Sequence, residues 1–233
     1  YVIKGYIHDW WSDWTRLGMD TDGNVSILDD RTEWGFEDYG LTLTGRHDLD
    51  SGSELLGGID YQHYRGKDAV VGISSLSETV SAGFVQYRPR LAFSPSTHLA
   101  IGARYTHADL GGSHGIWNIS LGQPLPANLE LEANLGTNFR LPTANELYSE
   151  NEDGPDGNEN LEPETSFNAN MALKGPLGPS VQWRLGGFYR EIEDLIGQED
   201  GQYINTADTT RVRGGEAGLR IGGGRGWTFS VNA

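Results

Sequence analysis

Residues 129–135 read Leu-Glu-Leu-Glu-Ala-Asn-Leu. Leu129, Leu131, Ala133 and Leu135 fall on one side of an extended chain, with Glu130, Glu132 and Asn134 on the other. A helix, turning about 100° per residue, would mix carboxylates with leucines around its circumference. The stretch is therefore a two-faced strand, one face apolar and one wet.

The same alternation recurs outward in both directions. Leu41 and Leu43 oppose Thr42, Thr44 and Arg46, and Leu55, Gly57, Ile59, Tyr61 and His63 oppose Leu56, Gly58, Asp60 and Gln62. Val85 and Tyr87, then Leu99, Ile101, Ala103 and Tyr105, continue it towards the C-terminus. Phe167, Ala169, Met171 and Leu173, and after them Val181, Trp183 and Leu185, extend it further. Helical periodicity is nearly missing, so the fold class is all-β.

Between the strands, Leu110 to His114, Gln123 to Asn128 and Gly175 to Ser180 read as short Gly/Pro-rich turns, whereas Trp11 to Arg31 and Leu141 to Pro163 read as long acidic loops. Short turns at one end and long loops at the other describe an antiparallel transmembrane β-barrel, the turns periplasmic and the loops extracellular. In that setting Leu129, Leu131, Ala133 and Leu135 face lipid and Glu130, Glu132 and Asn134 the lumen. A one-residue slip would place two carboxylates in hydrocarbon. Aromatics near strand ends, among them Tyr6, Trp10, Trp11, Trp14, Trp34, Tyr39, Tyr61, Tyr64, Tyr87, Tyr105, Trp117, Tyr189 and Trp227, suit an interfacial girdle. A soluble all-β binding or carbohydrate-active domain with acidic loops shares the alternation. Such sandwiches usually space their strands more closely.

Composition narrows the function classes. Lys and Arg number 17 against 33 Asp and Glu, a formal charge of −16, which disfavours nucleic acid as a partner. Cysteine is absent, removing thiol nucleophiles and Cys-ligated metals. Glycine supplies 33 of 233 residues, roughly twice the usual share. His8, His63, His98, His107 and His114 are scattered over separate strands or turns and cysteine is lacking, so no catalytic residues and no cofactor are expected.

The densest signal runs from Asn138 to Leu219. Phe139, Arg140, Leu141, Pro142 and Thr143 are followed by Glu146, Leu147 and Tyr148. Then come Gly157, Asn158, Asn160, Leu161, Pro163 and Glu164, and finally Phe188, Tyr189, Arg190, Ile192, Asp194, Leu195 and Ile196. Tyr203, Asn205, Gly214 and Glu216 continue the series. These boxes, in this order, resemble the barrel of a TonB-dependent outer-membrane receptor, and residues 80–137 resemble paired strands of the same barrel. The resemblance implies a bacterial outer-membrane importer of siderophore-like or cobalamin-like metal chelates, serving iron transport or vitamin uptake. Its barrel of about 22 strands surrounds a plug. The expected partners are outer-membrane lipid, the receptor's own plug, TonB acting through that plug, and the small chelate. Residues 1–233 are then about a dozen strands of a barrel domain without plug, and the unfinished alternation at 226–233 agrees with an excerpt.

The resemblance singles out Phe139, Arg140, Pro142, Glu146, Asn158, Asn160, Pro163 and Glu164 as motif residues. Physically, Pro142 forces Leu141 to be extended, Pro163 does the same for Glu162, and the asparagines supply turn hydrogen bonds. Arg140, Glu146 and Glu164 are placed to form a charge cluster. Haem-carrying members have an FRAP-like and an NPNL-like box with a histidine between them. Here the boxes read FRLP and NENL with no His from Arg140 to Leu161, which turns the expectation away from haem. Arg88, Arg104 and Arg184 are expected in the lumen, offsetting the acidic charge locally.

Two acidic stretches raise calcium. Asp20, Asp22 and Asn24 begin like a calcium loop, but Val25 and Arg31 stand where glycine and glutamate are needed. Glu152, Asp153 and Asp156, flanked by Glu150 and Glu159, are denser in hard oxygen donors and form the candidate metal site. The segment Leu141 to Pro163 contains seven carboxylates (Glu146, Glu150, Glu152, Asp153, Asp156, Glu159, Glu162) and no Lys or Arg. It is expected to be loosely packed without a cation.

Overall fold

The computed structural model describes residues 1–69, 72–150, 154–222 and 228–232, with only the backbone at Asp29, Arg31 and Ser74. Among the described residues it is an open antiparallel sheet of eleven strands, every neighbouring pair but β9 and β12 consecutive in the chain: β1 (Val2–Met19), β2 (Val25–Asp48), β3 (Glu54–Asp68), β4 (Ile73–Arg88), β5 (His98–Ala108), β6 (Gly112–Leu125), β7 (Leu129–Arg140), β8 (Glu164–Pro176), β9 (Val181–Glu193), β12 (Thr210–Gly222) and β13 (Thr228–Asn232). A separate hairpin, β10 (Ile196–Glu199) and β11 (Gln202–Asn205), is inserted between β9 and β12, and a short helix α1 (Ala144–Tyr148) follows β7. The sheet runs from β1 to β13 without closing, so it is an arc of a barrel wall.

Register, rather than a core, organises the wall. Tyr87, Ile101, Ile119, Leu135, Ala169 and Tyr189 stand side by side across six strands. On the opposite face of the neighbouring rows lie Thr42, Asp60, Ala82, Thr106 and His114. The first face leaves Ile3, Ile7, Ile59, Ile101, Met171, Leu185 and Val231 exposed, a continuous apolar surface no water-soluble domain of this size sustains. It is the surface that meets lipid in a transmembrane barrel. The expected facing of Leu129 to Leu135 holds: Leu131 pairs with Leu173 and Ala133 with Met171 on the apolar face, while Glu132 reaches Lys174 Nζ at 2.6 Å on the other.

Close strand approach explains part of the glycine content. A Cβ on Gly58 would come within 2.3 Å of the Leu43 carbonyl and 2.6 Å of the Phe84 ring. A Cβ on Gly214 would likewise come within 2.6 Å of the Phe188 ring. Lumenal rings thus lie over bare backbone in the next strand.

Two expectations about connections differ. Trp11 to Arg31 is the upper part of the β1–β2 hairpin, paired as far as Met19 with Val25, and only Asp20 to Asn24 is the turn. The Leu110 turn shares an end with that tip and with Leu141 to Pro163, because β5 ascends and β6 descends. Gln123 to Asn128 and Gly175 to Ser180 lie at the other end. The aromatic girdle also divides. Trp11, Tyr39, Tyr61, Tyr87, Tyr105, Trp117 and Tyr189 take the apolar face. By the same alternation Tyr6, Trp10, Trp14, Trp34 and Tyr64 take the inner face, since consecutive residues of a strand point opposite ways. Trp227 is outside the described residues.

Candidate functional site

The upper rim is where irregular structure accumulates. Strand β7 ends at Arg140 because Pro142 has no N–H for a ladder and restricts Leu141. Thr143 then caps α1. Its hydroxyl oxygen accepts from the Glu146 N–H at 3.3 Å, and the Glu146 carboxylate accepts from the Thr143 N–H at 2.7 Å.

Arg140 joins what Pro142 separates. Its Nη1 donates to Glu146 Oε2 at 2.9 Å, and its Nη2 donates to Glu146 Oε1 at 3.2 Å and to Glu164 Oε1 at 2.7 Å. Glu164 also accepts from the Ile196 N–H at 2.9 Å. One guanidinium therefore ties the end of β7, α1, the start of β8 and the β10–β11 hairpin. Burial by itself would raise the Glu146 pKa, but the hydrogen bonds from Arg140 and Thr143 outweigh it, and the group is held below the ordinary carboxylate value.

The asparagines complete the structure. Asn158 Nδ2 donates to the Tyr203 carbonyl at 2.9 Å, and its Oδ1 accepts from the Asn160 N–H at 3.0 Å. Asn205 accepts from the Glu162 N–H at 2.8 Å and donates to the Glu162 and Asp194 carbonyls at 2.9 and 2.7 Å. A Cβ on Gly157 would sit 2.6 Å from the Leu147 carbonyl, so only glycine fits there. Leu147 and Leu161 are buried beneath these bonds. Phe139 stacks on His114 with centroids 4.8 Å apart, and Pro163 leads into β8. The segment crosses the β5–β6 turn, where Leu141 touches Gly111, and reaches β4, where Glu150 lies against Gly72. Loose packing was expected from seven carboxylates without a cation. The described part instead packs as a cap, because the cation it needs, Arg140, precedes the segment by one residue.

Of the candidate metal residues, Glu152 and Asp153 lie outside the described residues. Asp156 bonds through its backbone to Gly201 and Tyr203. Asp20 spends its carboxylate on the Asp22 and Asn24 N–H groups and the Asn24 side chain, at 2.8–2.9 Å. No group of three or more His, Asp or Glu among the described residues is arranged to hold a metal ion.

Inside the wall, the expected lumenal arginines are each neutralised. Arg88 Nη1 is 2.8 Å from Glu54, Arg104 bonds Asp60, and Arg184 lies 3.3 Å from Glu216 and 3.7 Å from Glu132. They offer no free positive field to an anionic ligand. Higher up, Asp38 accepts from Tyr6 at 3.2 Å and Gln62 at 3.1 Å and lies 3.5 Å from His8. Alternation counted back from Leu43 and Leu41 would have placed Asp38 and Phe36 on this inner face from the sequence.

An antiparallel wall with a lipid-facing apolar side, a polar inner side and an ordered cap at one rim is an arc of a transmembrane β-barrel. Its residues 3–233 match the family model described as TonB dependent receptor-like, beta-barrel, and the chain belongs to that family. Among curated relatives, the vitamin B12 transporter BtuB of Vibrio vulnificus is 31% identical over 143 residues, 61% of this chain and 22% of the relative. That of Photobacterium profundum is 36% identical over 89 residues, 38% of this chain and 14% of the relative. Among solved structures, the siderophore receptor PirA of Pseudomonas aeruginosa superposes with a TM-score of 0.77 at 19% identity, over 99% of this chain and 47% of that one. The copper transporter OprC gives 0.67 at 17%, over 86% and 36%. The chain thus spans less than half the length of each.

Proposed function

We propose that this chain forms part of the wall of a bacterial outer-membrane receptor that imports a small metal chelate, siderophore-like or cobalamin-like. TonB supplies the energy, acting on a plug domain that occupies the lumen. The observation that carries the reading is the segregation of the wall into a lipid-facing apolar side and a hydrogen-bonding inner side, joined at one rim by an ordered cap. A channel wall needs both faces and a soluble binding domain needs neither the exposed apolar belt nor the open lumenal lining. Membership of the receptor family, and relatives named for vitamin B12 and siderophore receptors, support the same conclusion. In this role Phe139, Arg140, Pro142, Glu146, Asn158, Asn160, Pro163 and Glu164 build the cap and leave ligand contact to other residues.

The test is uptake by the host bacterium with and without the full-length receptor gene, using radiolabelled cyanocobalamin and radio-iron siderophores in parallel. Loss of one uptake on deletion, its restoration by the gene, and its dependence on TonB are expected. Unchanged uptake of every chelate on deletion would overturn the reading.

A further inference from the structure

Strands β6 and β7 separate in the middle of the wall. β6 stays paired with β5 up to Gly112 with Ala108, and β7 stays paired with β8 up to Arg140 with Glu164. Between β6 and β7 the ladder runs from Leu125 with Leu129 only to Asn118 with Gly136, although both strands continue upward. Above that point the Trp117 N–H, which a ladder would give to a β7 carbonyl, donates instead to Thr137 Oγ1 at 3.2 Å. A Cβ on Gly115 would meet only the Tyr105 ring, at 3.9 Å, and no atom of β7. The gap closes again at the top, where His114 stacks on Phe139 and Leu141 touches Gly111. The result is a slot in the wall, bounded by strands that each keep their other neighbour.

The slot opens on the lipid side, away from the lumen. Thr137, Phe167, Glu191 and Arg211 share the outer row directly above Leu135, with Trp117 opposite them across the gap. A cleft of about 330 Å³ lies there, lined by Gly115, Trp117, Thr137, Phe139 and Phe167, and the Trp117 and Phe167 centroids are 6.4 Å apart. Its floor and rings continue the apolar belt, so an acyl chain suits it. Its edges ask for more. Residues of a strand aim their backbone groups alternately to either side, so Gly115, like Trp117, turns its N–H and C=O into the gap, and Phe139 does so from β7. Hydrocarbon leaves such groups unsatisfied at high cost. An ester joint can only accept hydrogen bonds, whereas an amide or a hydroxyl donates and accepts, as two facing backbone edges require.

Charge does not select the headgroup. Glu191 is held by Arg211 at 3.0 Å and by the Tyr189 hydroxyl, Glu193 and Arg213 stand one row to either side, and His114 donates to the Gly111 carbonyl at 2.6 Å. Two carboxylates thus face two guanidinium groups, and discrimination falls to the joint of the acyl chain. We propose that the slot between β6 and β7 holds one outer-leaflet lipid by an amide-linked, hydroxylated acyl chain. The chain lies over Gly115 between Trp117 and Phe167, and its joint bonds the open backbone edges. This rests on the outer-membrane reading above and adds a lipid site outside the transport path.

The experiment uses the full-length receptor in detergent, with lipid A as the amide-linked, hydroxylated probe and phosphatidylethanolamine as the ester-linked one, retained lipid being counted by native mass spectrometry. The wild type is expected to keep one lipid A and to release phosphatidylethanolamine. Gly115→Leu, which fills the slot, should lower the lipid A-bound fraction roughly tenfold. Gly83→Leu is the control. Gly83 flanks Tyr105 in the same row, has nothing within 4 Å of its Cβ position and lies in an intact ladder, so the same added bulk there should leave lipid A bound. The heat-resistant folded band in SDS establishes assembly, and Trp117→Leu, which removes a wall of the cleft without adding bulk, should also lower the bound fraction if Gly115→Leu does not assemble. Equal loss from Gly115→Leu and Gly83→Leu, equal retention of the two lipids by the wild type, or no retained lipid would each overturn the inference and leave the uptake reading standing. A wild type that gives no folded band in detergent would take both down.

Discussion

The two tall features of the rim are both acidic and both look like long loops in the sequence, yet they are built by opposite means. The β1–β2 hairpin satisfies its backbone almost entirely through ladder pairs, and its side chains are left exposed. The cap between β7 and β8 has little ladder, so Arg140, Thr143, Asn158 and Asn205 do the work with side chains, over the buried Leu147 and Leu161. Acidic density is therefore uninformative about order; what decides it is where the backbone N–H and C=O groups find partners. A hairpin of that type tolerates side-chain change, and a cap of this type should not.

Removing the guanidinium tests this most severely. Arg140→Ala leaves Glu146 and Glu164 largely buried and unpaired. We expect the cap to lose about 2 kcal/mol of local stability, below the 3–5 kcal/mol of a fully buried pair because Arg140 is itself 41% exposed. Hydrogen exchange in residues 141–163 of the full-length receptor should accelerate while the strands stay protected. Unchanged exchange there would show that the cluster does not hold the cap.

The glycine pair Gly157 and Gly23 sharpens the contrast. Gly157→Ala drives a methyl to 2.6 Å from the Leu147 carbonyl and should cost on the order of 1–3 kcal/mol in the cap. Gly23→Ala at the hairpin tip meets nothing within 4 Å, but its φ of +84° strains any side chain, for about 1 kcal/mol confined to the turn. Local exchange protection in each variant reads both values. Equal losses would remove the distinction between the two regions.

A smaller effect is expected from Thr143→Ala, which deletes one half of the capping box and should cost about 1 kcal/mol. Fraying of α1 by exchange at Glu146 and Leu147 is the readout. Full protection in the variant would mean Arg140 alone positions the helix.

These elements also show what could be read in advance. Leu129 to Leu135 was legible because hydrocarbon on one face and water on the other force strict alternation within a few residues. The upper part of β1–β2 was not, since its outer face mixes Trp11 with Asp9, Asp13, Glu33 and Glu37 while its inner face carries Trp10, Trp34 and Phe36, so strand pairing left no apolar rhythm on either side. Helix α1 is too short for periodicity, although Thr143 and Glu146 spell its capping box. The β10–β11 turn is spelled by Asp200-Gly201, a pair the sequence reading above did not use; both stand at positive φ, 49° and 79°, the backbone a tight hairpin demands. The charge cluster was legible as residue types but not as a cap. Its partners Asn205 and Ile196 come from a connection over thirty residues away in the chain, beyond the reach of local pattern.

Acid should separate the two regions last and least. Glu146 has a folded pKa below its unfolded value, which is about 4.3. Its ionised form is therefore the one the cap stabilises: the contribution is complete above that unfolded value and is lost as pH falls through the folded one. Cap protection, corrected for intrinsic exchange, should be flat from neutral pH to about 5 and decline only below about 4. Asp20 is also lowered, by hydrogen bonds from the Asn24 side chain and backbone, then those of Asp22 and Gly23. It is fully exposed, so its protonation should loosen only the amides of Asp22 and Asn24 and leave the ladder below Met19 untouched. Exchange measured across the acid range on the full-length receptor decides the matter. A cap that opens with a midpoint at or above pH 5 would mean that a different group controls it, and the Arg140 clamp would no longer account for the difference between hairpin and cap.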